Sequence, residues 1–160
     1  MGEKCMSKSK FPILLVEDSI DDIFFVKRAF TAAHLEHPLF TVENGQQAID
    51  YMSGVGQFAE HPLPRLVIAD LKMPAVNGFD LIRWMRNDSK AKLIPIIVLS
   101  SSSLPDDINL AYALGANAYM VKPPDPHAFE RLFRTIAEFW DLGETPDYDW
   151  SRNPDTTKKS

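Results

Sequence analysis

Several polar residues stand out because each closes a short apolar run. Glu17 and Asp18 follow Ile13–Val16, Asp70 ends Leu66–Asp70, Ser100 follows Ile96–Leu99, and Lys122 follows Ala118–Val121. Together they offer three carboxylates, one hydroxyl and one ammonium. Acids gathered in this way suit a hard divalent cation, because Mg2+ prefers carboxylate, water and phosphate oxygens. The ammonium adds a second positive charge, acting as a point rather than a fork. Each residue alone says little, since a single Asp after a strand is more often a helix cap or turn former. A set of polar and chemically complementary strand ends is harder to explain that way.

The elements that must carry these residues are legible in the hydrophobic pattern. Continuous apolar runs read as strands buried on both faces. Pro12 is tolerated only at the first residue or two of the opening strand. Ser19 offers an N-cap to a helix with Asp21 and Asp22 in its first turn, ending near His34. A strand over Leu39–Val42 precedes Asn44-Gly45 and a second helix carrying Ala48, Ile49, Tyr51 and Met52. Residues Gly54–Pro64 then form a loop that is long for a compact domain. After Asp70, Met73-Pro74 and Asn77-Gly78 are turn signals that lead into a helix. A helix from about Asp106 to Leu114 stops at Gly115, and the last helix, N-capped by Asp125 with Pro126 behind it, runs to about Trp140. Strands and helices thus alternate, which predicts a doubly wound α/β fold: a parallel sheet with helices on both faces. In such sheets ligands bind beyond the carboxyl ends of the strands, where the polar set lies.

Composition is consistent with this reading. The chain has 160 residues, 45% hydrophobic and 24% charged, with a net charge of −5. No apolar run approaches the roughly 20 residues needed to cross a bilayer. One cysteine, Cys5, rules out an internal disulfide framework and a multi-cysteine metal site. The acidic balance argues against nucleic acid as the main partner. Residues 1–10 and 141–160 carry charges that cancel and lack periodic apolar positions, so they read as tails flanking one domain over 11–140. Met6 stands where a myristoylation signal wants Ser or Thr, and no signal peptide precedes the first strand, so a cytoplasmic location is expected.

The segments ILLVEDSIDD, LVIADLKMP, IPIIVLSSS and GANAYMVKP, with 30 residues from Asp70 to Ser100 and 52 from Asp70 to Lys122, resemble the response-regulator receiver domains of two-component signalling. The resemblance spans residues 11–140 and implies a five-stranded sheet of flavodoxin-like order 2-1-3-4-5. The opening VED-S-x-x-D pattern, the extended loop and the AEFW helix ending are similar to single-domain regulators that serve bacterial phytochrome-type histidine kinases. The resemblance implies that Asp70 is the phosphoacceptor and that Glu17, Asp18, Asp70 and the backbone carbonyl of Lys72 hold Mg2+. It further implies that Lys122 and Ser100 bind the phosphoryl group, that Tyr119 is the switching aromatic, and that the Lys122–Pro123 bond is cis. The resemblance also implies that Lys72 and Ser102 flank the phosphoryl group and tune its hydrolysis, and Lys72 departs from the neutral or polar residue of many relatives. About 20 residues follow the last helix, too few for an output domain.

Phe24 and Phe25 cannot both face inward from one helix, and Phe139 and Trp140 exceed one buried stripe. They are either ordinary partly exposed apolar residues or a homodimer or kinase-docking surface, with Trp150 a candidate cover. The expected role is a stand-alone regulator, not an enzyme, that receives a phosphoryl group from a histidine kinase and signals to a downstream protein or relay. An Asp-nucleophile phosphohydrolase is disfavoured, because such enzymes place a second Asp where Lys72 stands. A flavin-binding protein is disfavoured by the acidic Glu17-Asp18-Ser19 turn, and a pseudo-receiver scaffold by the presence of every chemical residue.

Overall fold

The computed structural model describes residues 11–144. Expectations that fall on the two tails, including Cys5 and Trp150, lie outside the described residues. Strands β1 (Ile13–Val16), β2 (Leu39–Val42), β3 (Leu66–Ala69), β4 (Ile96–Ser100) and β5 (Ala118–Val121) form one sheet in the order β2-β1-β3-β4-β5. Every pairing is parallel, with Val16 opposite Ala69 and Ser100 opposite Val121. Between them run α1 (Ile20–Ala32), α2 (Gly45–Ser53), α3 (Gly78–Asn87) and α4 (Pro105–Leu114), and α5 (Pro126–Leu142) closes the domain.

Alternation along the strands splits the core in two. Leu14, Val16, Val67, Ala69, Ile96 and Val98 point toward α2, α3 and α4, where Ala48, Tyr51, Leu81, Ile82, Met85 and Ala111 meet them. The intervening positions Ile13, Leu15, Leu66, Ile68, Ile97 and Leu99 face α1 and α5, against Val26, Phe30, Phe133 and Ile136. Both faces of β1, β3 and β4 are therefore buried, which is why their sequences are continuously apolar. Burying one such side chain contributes about 1.5–3 kcal/mol. β2 and β5, at the sheet edges, are only partly buried.

Local chemistry sets the helix ends. Ser19, Asn44, Asn77 and Asp125 each accept a hydrogen bond from a backbone N–H in the first turn of the helix that follows. Gly115 ends α4 at φ 114°, in the left-handed region that suits glycine. The differences from the sequence reading are small. β4 reaches Ser100, α1 stops at Ala32, α4 begins at Pro105 with proline in its first turn, and α5 continues to Leu142. The long loop after α2 contains a 3₁₀ turn, Gly56–Phe58, and folds Phe58 and His61 onto Tyr51.

Candidate functional site

The carboxyl end of β1 delivers Glu17 and Asp18 just before α1, and the carboxyl end of β3 delivers Asp70 beside them. Continuation of the sheet ladder fixes both positions: Glu17 N–H donates to Val42 O at 3.0 Å, and Asp70 N–H to Val16 O at 3.1 Å. Behind Asp70, the loop to α3 is pressed tight. Gly78 N–H donates to Leu71 O at 3.0 Å, and a Cβ on Gly78 would meet the Asp70 carbonyl oxygen at 2.3 Å. Only glycine lets the first turn of α3 come this close to the backbone of Asp70. The same loop holds Ala75 at φ 64°, a conformation that L-residues other than glycine adopt at a cost of about 1–2 kcal/mol.

Glu17, Asp18 and Asp70 each place a carboxylate oxygen within 4.8 Å of the others. Glu17 is buried, Asp70 is largely buried and Asp18 is exposed. A hard cation reached from solvent by way of Asp18 fits such an all-oxygen set, which suits oxygen-seeking divalent metals. Each carboxylate is already oriented. Ser19 N–H donates to Glu17 Oε1 at 3.0 Å and Leu71 N–H donates to Asp70 Oδ1 at 2.7 Å.

Lys122, at the end of β5, reaches into this group. Its Nζ donates to Glu17 Oε2 at 2.9 Å, Asp70 Oδ2 at 3.1 Å and Asp22 Oδ2 at 2.6 Å. Asp22 was not among the expected site residues. Sequence marks it as a first-turn acid of α1 and as the last residue of the VED-S-x-x-D pattern, without revealing a partner 100 residues away. Burial alone would lower the Lys122 ammonium, but the hydrogen bonds to Asp22 and Glu17 and the charge of Asp70 outweigh it and hold the pKa well above its ordinary value. Burial pushes the Glu17 carboxyl up, and Asp70 adds to that. The bonds from Lys122 and Ser19 pull the other way without cancelling it.

Ser100 is fully buried at the end of β4, and its carbonyl accepts from Lys122 N–H at 2.8 Å, which couples the ends of the two strands. Its hydroxyl accepts from Ser102 N–H at 3.1 Å. The Tyr119 hydroxyl donates to Ser102 O at 2.7 Å, so this aromatic is tied to the β4–α4 loop. Ser102 itself serves the start of α4: its hydroxyl donates to Asp107 Oδ2 at 2.6 Å and accepts from Leu104 N–H at 3.3 Å. Lys72 is exposed in the loop after Asp70. The Lys122–Pro123 bond is trans, contrary to expectation, since no cis peptide bond occurs among the described residues. Trans is the ordinary preference of an X–Pro bond, by roughly 0.5–1 kcal/mol. Here the three carboxylates fix the lysine without help from the cis isomer.

Comparison with known proteins bears on this arrangement. Residues 13–134 match the response regulator receiver domain family. The probable methanogenesis regulatory protein FilR2 of Methanothrix harundinacea is 30% identical over 153 residues, covering 96% of this chain and 94% of that one. The crystal structure of the phosphorylated cyanobacterial phytochrome response regulator RcpA is similar with a TM-score of 0.81 and 31% identity, covering 87% of this chain and all of RcpA. The Mn2+-bound form of the response regulator Rcp1, a protein of Synechocystis, is similar with a TM-score of 0.77 and 28% identity, covering 85% and 99% of the two chains. Among the described residues, no helix is long and apolar enough to cross a membrane. With a 2-1-3-4-5 parallel sheet and an acidic pocket suited to a divalent metal, the chain belongs to the response regulator receiver family, whose role is phosphoryl-accepting signalling.

Proposed function

We propose that this chain takes a phosphoryl group from a histidine kinase onto the Asp70 carboxylate. An oxygen of Asp70 attacks phosphorus, the bond from phosphorus to the donor histidine nitrogen breaks, and the electron pair leaves on that nitrogen. The observation that carries the reading is Lys122, whose ammonium touches Asp70 and Glu17 at the edge of a three-carboxylate cluster. Glu17, Asp18 and Asp70, with the carbonyl of Lys72, would hold Mg2+. That ion, when bound, neutralises charge that builds between the carboxylate and the incoming anion.

The chain's own residues do the rest. Leu71 N–H holds Asp70 Oδ1, leaving Oδ2 on the Lys122 side. Lys122 supplies a fixed positive charge for the transferred oxygens, and the Ser100 hydroxyl would exchange its bond to Ser102 N–H for one to the phosphoryl group. Tyr119, tied to Ser102 O, would report that exchange to the surface formed by α4 and β5. Lys72 at the mouth tunes the lifetime of the phosphorylated state, and Ser102 acts through the start of α4.

The kinase is of the phytochrome type, a reading supported by the likeness to the phytochrome response regulator RcpA. Output passes to a downstream protein or phosphotransfer partner in the cytoplasm, with no nucleic acid or membrane involved, and the chain acts as a regulator rather than an enzyme. Phe139 and Leu142, exposed on α5, support a homodimer. Incubation with acetyl phosphate and Mg2+ followed by intact-mass measurement tests the central step. One phosphoryl is gained by the wild type and none by Asp70→Ala; a wild type that gains nothing from acetyl phosphate or from a phosphorylated kinase refutes it.

A further inference from the structure

The three hydrogens of the Lys122 ammonium are committed to Glu17, Asp22 and Asp70, at 2.9, 2.6 and 3.1 Å. None is left for an incoming phosphoryl oxygen, so a contact must be exchanged when one arrives. The three carboxylates differ in what else they are needed for. Glu17 and Asp70 belong to the cluster suited to a divalent cation, whereas Asp22 does not. Asp70 is also the carboxylate to be modified. A bound cation draws Glu17 and Asp70 away from the lysine, and a phosphoryl group on Asp70 takes over that contact, so Asp22 alone is free to keep hold of the lysine throughout.

We propose that Asp22 is a positioning residue for Lys122: it anchors the ammonium from the α1 side, so that Lys122 can give up Asp70 for a phosphoryl oxygen without swinging out of the site. This rests on the reading of Asp70 as phosphoacceptor and names a residue that the reading does not otherwise use. Asp22 makes the shortest of the three contacts and stands partly open to solvent. Its position is set independently of the lysine, because its backbone N–H donates to Ser19 Oγ at 3.3 Å while Ser19 N–H donates to Glu17 Oε1. Ser19 therefore fixes both residues, Asp22 through its backbone and Glu17 through its carboxylate. The blander role for a first-turn acid is to complement the helix dipole. Asp21 occupies the same turn and is exposed, so it provides that comparison directly.

The test uses the full chain and three variants: Asp22→Asn, Asp22→Glu and the control Asp21→Asn. The Asp22→Asn variant keeps the N–H that Ser19 caps and loses only the charge. With acetyl phosphate and saturating Mg2+, its maximal rate of phosphoryl gain falls about tenfold, the roughly 1.4 kcal/mol scale of one charge-assisted hydrogen bond. The acetyl phosphate concentration giving half-maximal rate changes little. Asp22→Glu, one methylene longer, recovers most of the rate, and Asp21→Asn matches the wild type.

A second arm needs neither metal nor phosphodonor. The Lys122 ammonium signal in nitrogen-resolved NMR of the metal-free protein broadens away in Asp22→Asn and persists in Asp21→Asn. Equal rates in Asp22→Asn and wild type, equal losses in the two Asn variants, or a loss that Asp22→Glu fails to restore overturns the proposal. An ammonium signal unchanged in Asp22→Asn overturns it too, whether or not the wild type accepts phosphoryl. A wild type that gains no phosphoryl refutes the function of Asp70 instead.

Discussion

Lys122 and Arg86 are two cations drawn out of water at opposite ends of the sheet, and their surroundings differ in kind. At the carboxyl end, Lys122 is held by three carboxylates. At the amino end, Arg86 of α3 is held by neutral dipoles. Its Nε donates to Gly115 O at 2.9 Å, its NH1 to Lys92 O and Ile94 O at 3.1 and 3.0 Å, and its NH2 to Asn117 Oδ1 at 2.8 Å. The pKa values move in opposite senses. Burial lowers the Arg86 guanidinium with no acid to oppose it, whereas acids outweigh burial at Lys122. Carbonyls at helix and strand ends have nowhere else to go, so Arg86 is a rivet between α3, α4 and the start of β4. Carboxylates can trade an ammonium for a metal or a phosphoryl group, so Lys122 sits at a junction that can be rewired. What surrounds a buried charge separates architecture from mechanism better than its burial does.

Replacing each cation by methionine puts the contrast under strain. Lys122→Met is expected to slow phosphoryl gain from acetyl phosphate by roughly a hundredfold, the usual cost of deleting one preorganised electrostatic group. The same change tightens Mg2+ binding in a calorimetric titration, because the cluster loses its resident positive charge; weaker binding would show that the ammonium does not compete with the ion. Arg86→Met is expected to cost about 2 kcal/mol in urea unfolding, through carbonyls left without donors, while phosphoryl gain stays within about twofold of wild type. A comparable loss of phosphoryl gain in Arg86→Met would erase the distinction between the two ends.

Alkaline titration adds a smaller effect. The folded pKa of Lys122 is raised, so its stabilisation is fully present below the ordinary value of 10.5 and is lost as pH climbs through the higher folded value. The stability gap between wild type and Lys122→Met should be constant from neutral pH to about 10 and narrow above that, by at most about 1.4 kcal/mol per pH unit. A gap that stays flat into strong alkali would mean that the lysine is not charge-paired. Smallest of all, Lys72→Asn should change the half-life of the phosphorylated protein by about two- to fivefold, on the scale of an exposed charge. An unchanged half-life removes Lys72 from the rate-setting group.

The same contrast explains what was legible beforehand. Elements with strong local causes were readable: β1, β3 and β4 as apolar runs, α1 and α5 from Ser19 and Asp125, the end of α4 from Gly115. Glu17, Asp18, Asp70, Ser100 and Lys122 could be singled out because each stands at a strand end, where the structure also puts them. Asp22 was not, because nothing local reveals a partner across α1 and β5, and it already had an adequate role as a first-turn acid. Arg86 escaped for a related reason. Three of its four acceptors are backbone carbonyls, which carry no residue signature. The bond from the Ser102 hydroxyl to Asp107 was not legible either, because it depends on how the β4–α4 loop folds. The exposure of Phe24 and Phe139, at 58% and 66%, agrees with the count of one buried stripe per helix.

His37 bears on how a signal can leave the domain. Phe11 N–H donates to His37 Nδ1 at 3.1 Å, which puts the ring proton on Nε2, and Nε2 donates to Asp141 Oδ1 at 3.0 Å. One imidazole thus pins Phe11, two residues ahead of β1, to the last turn of α5, with the Phe11 ring stacked on it at 3.9 Å. Anything joined covalently ahead of Phe11 or behind α5 departs from the same pole, and that pole is the one opposite Asp70. The wiring is therefore one-ended. A change of charge at Asp70 lies the 17 residues of α5, about 25 Å, from a neighbour attached behind that helix, and the length of β1 from one attached ahead of Phe11. A partner bound at the rim reads the same event at its source.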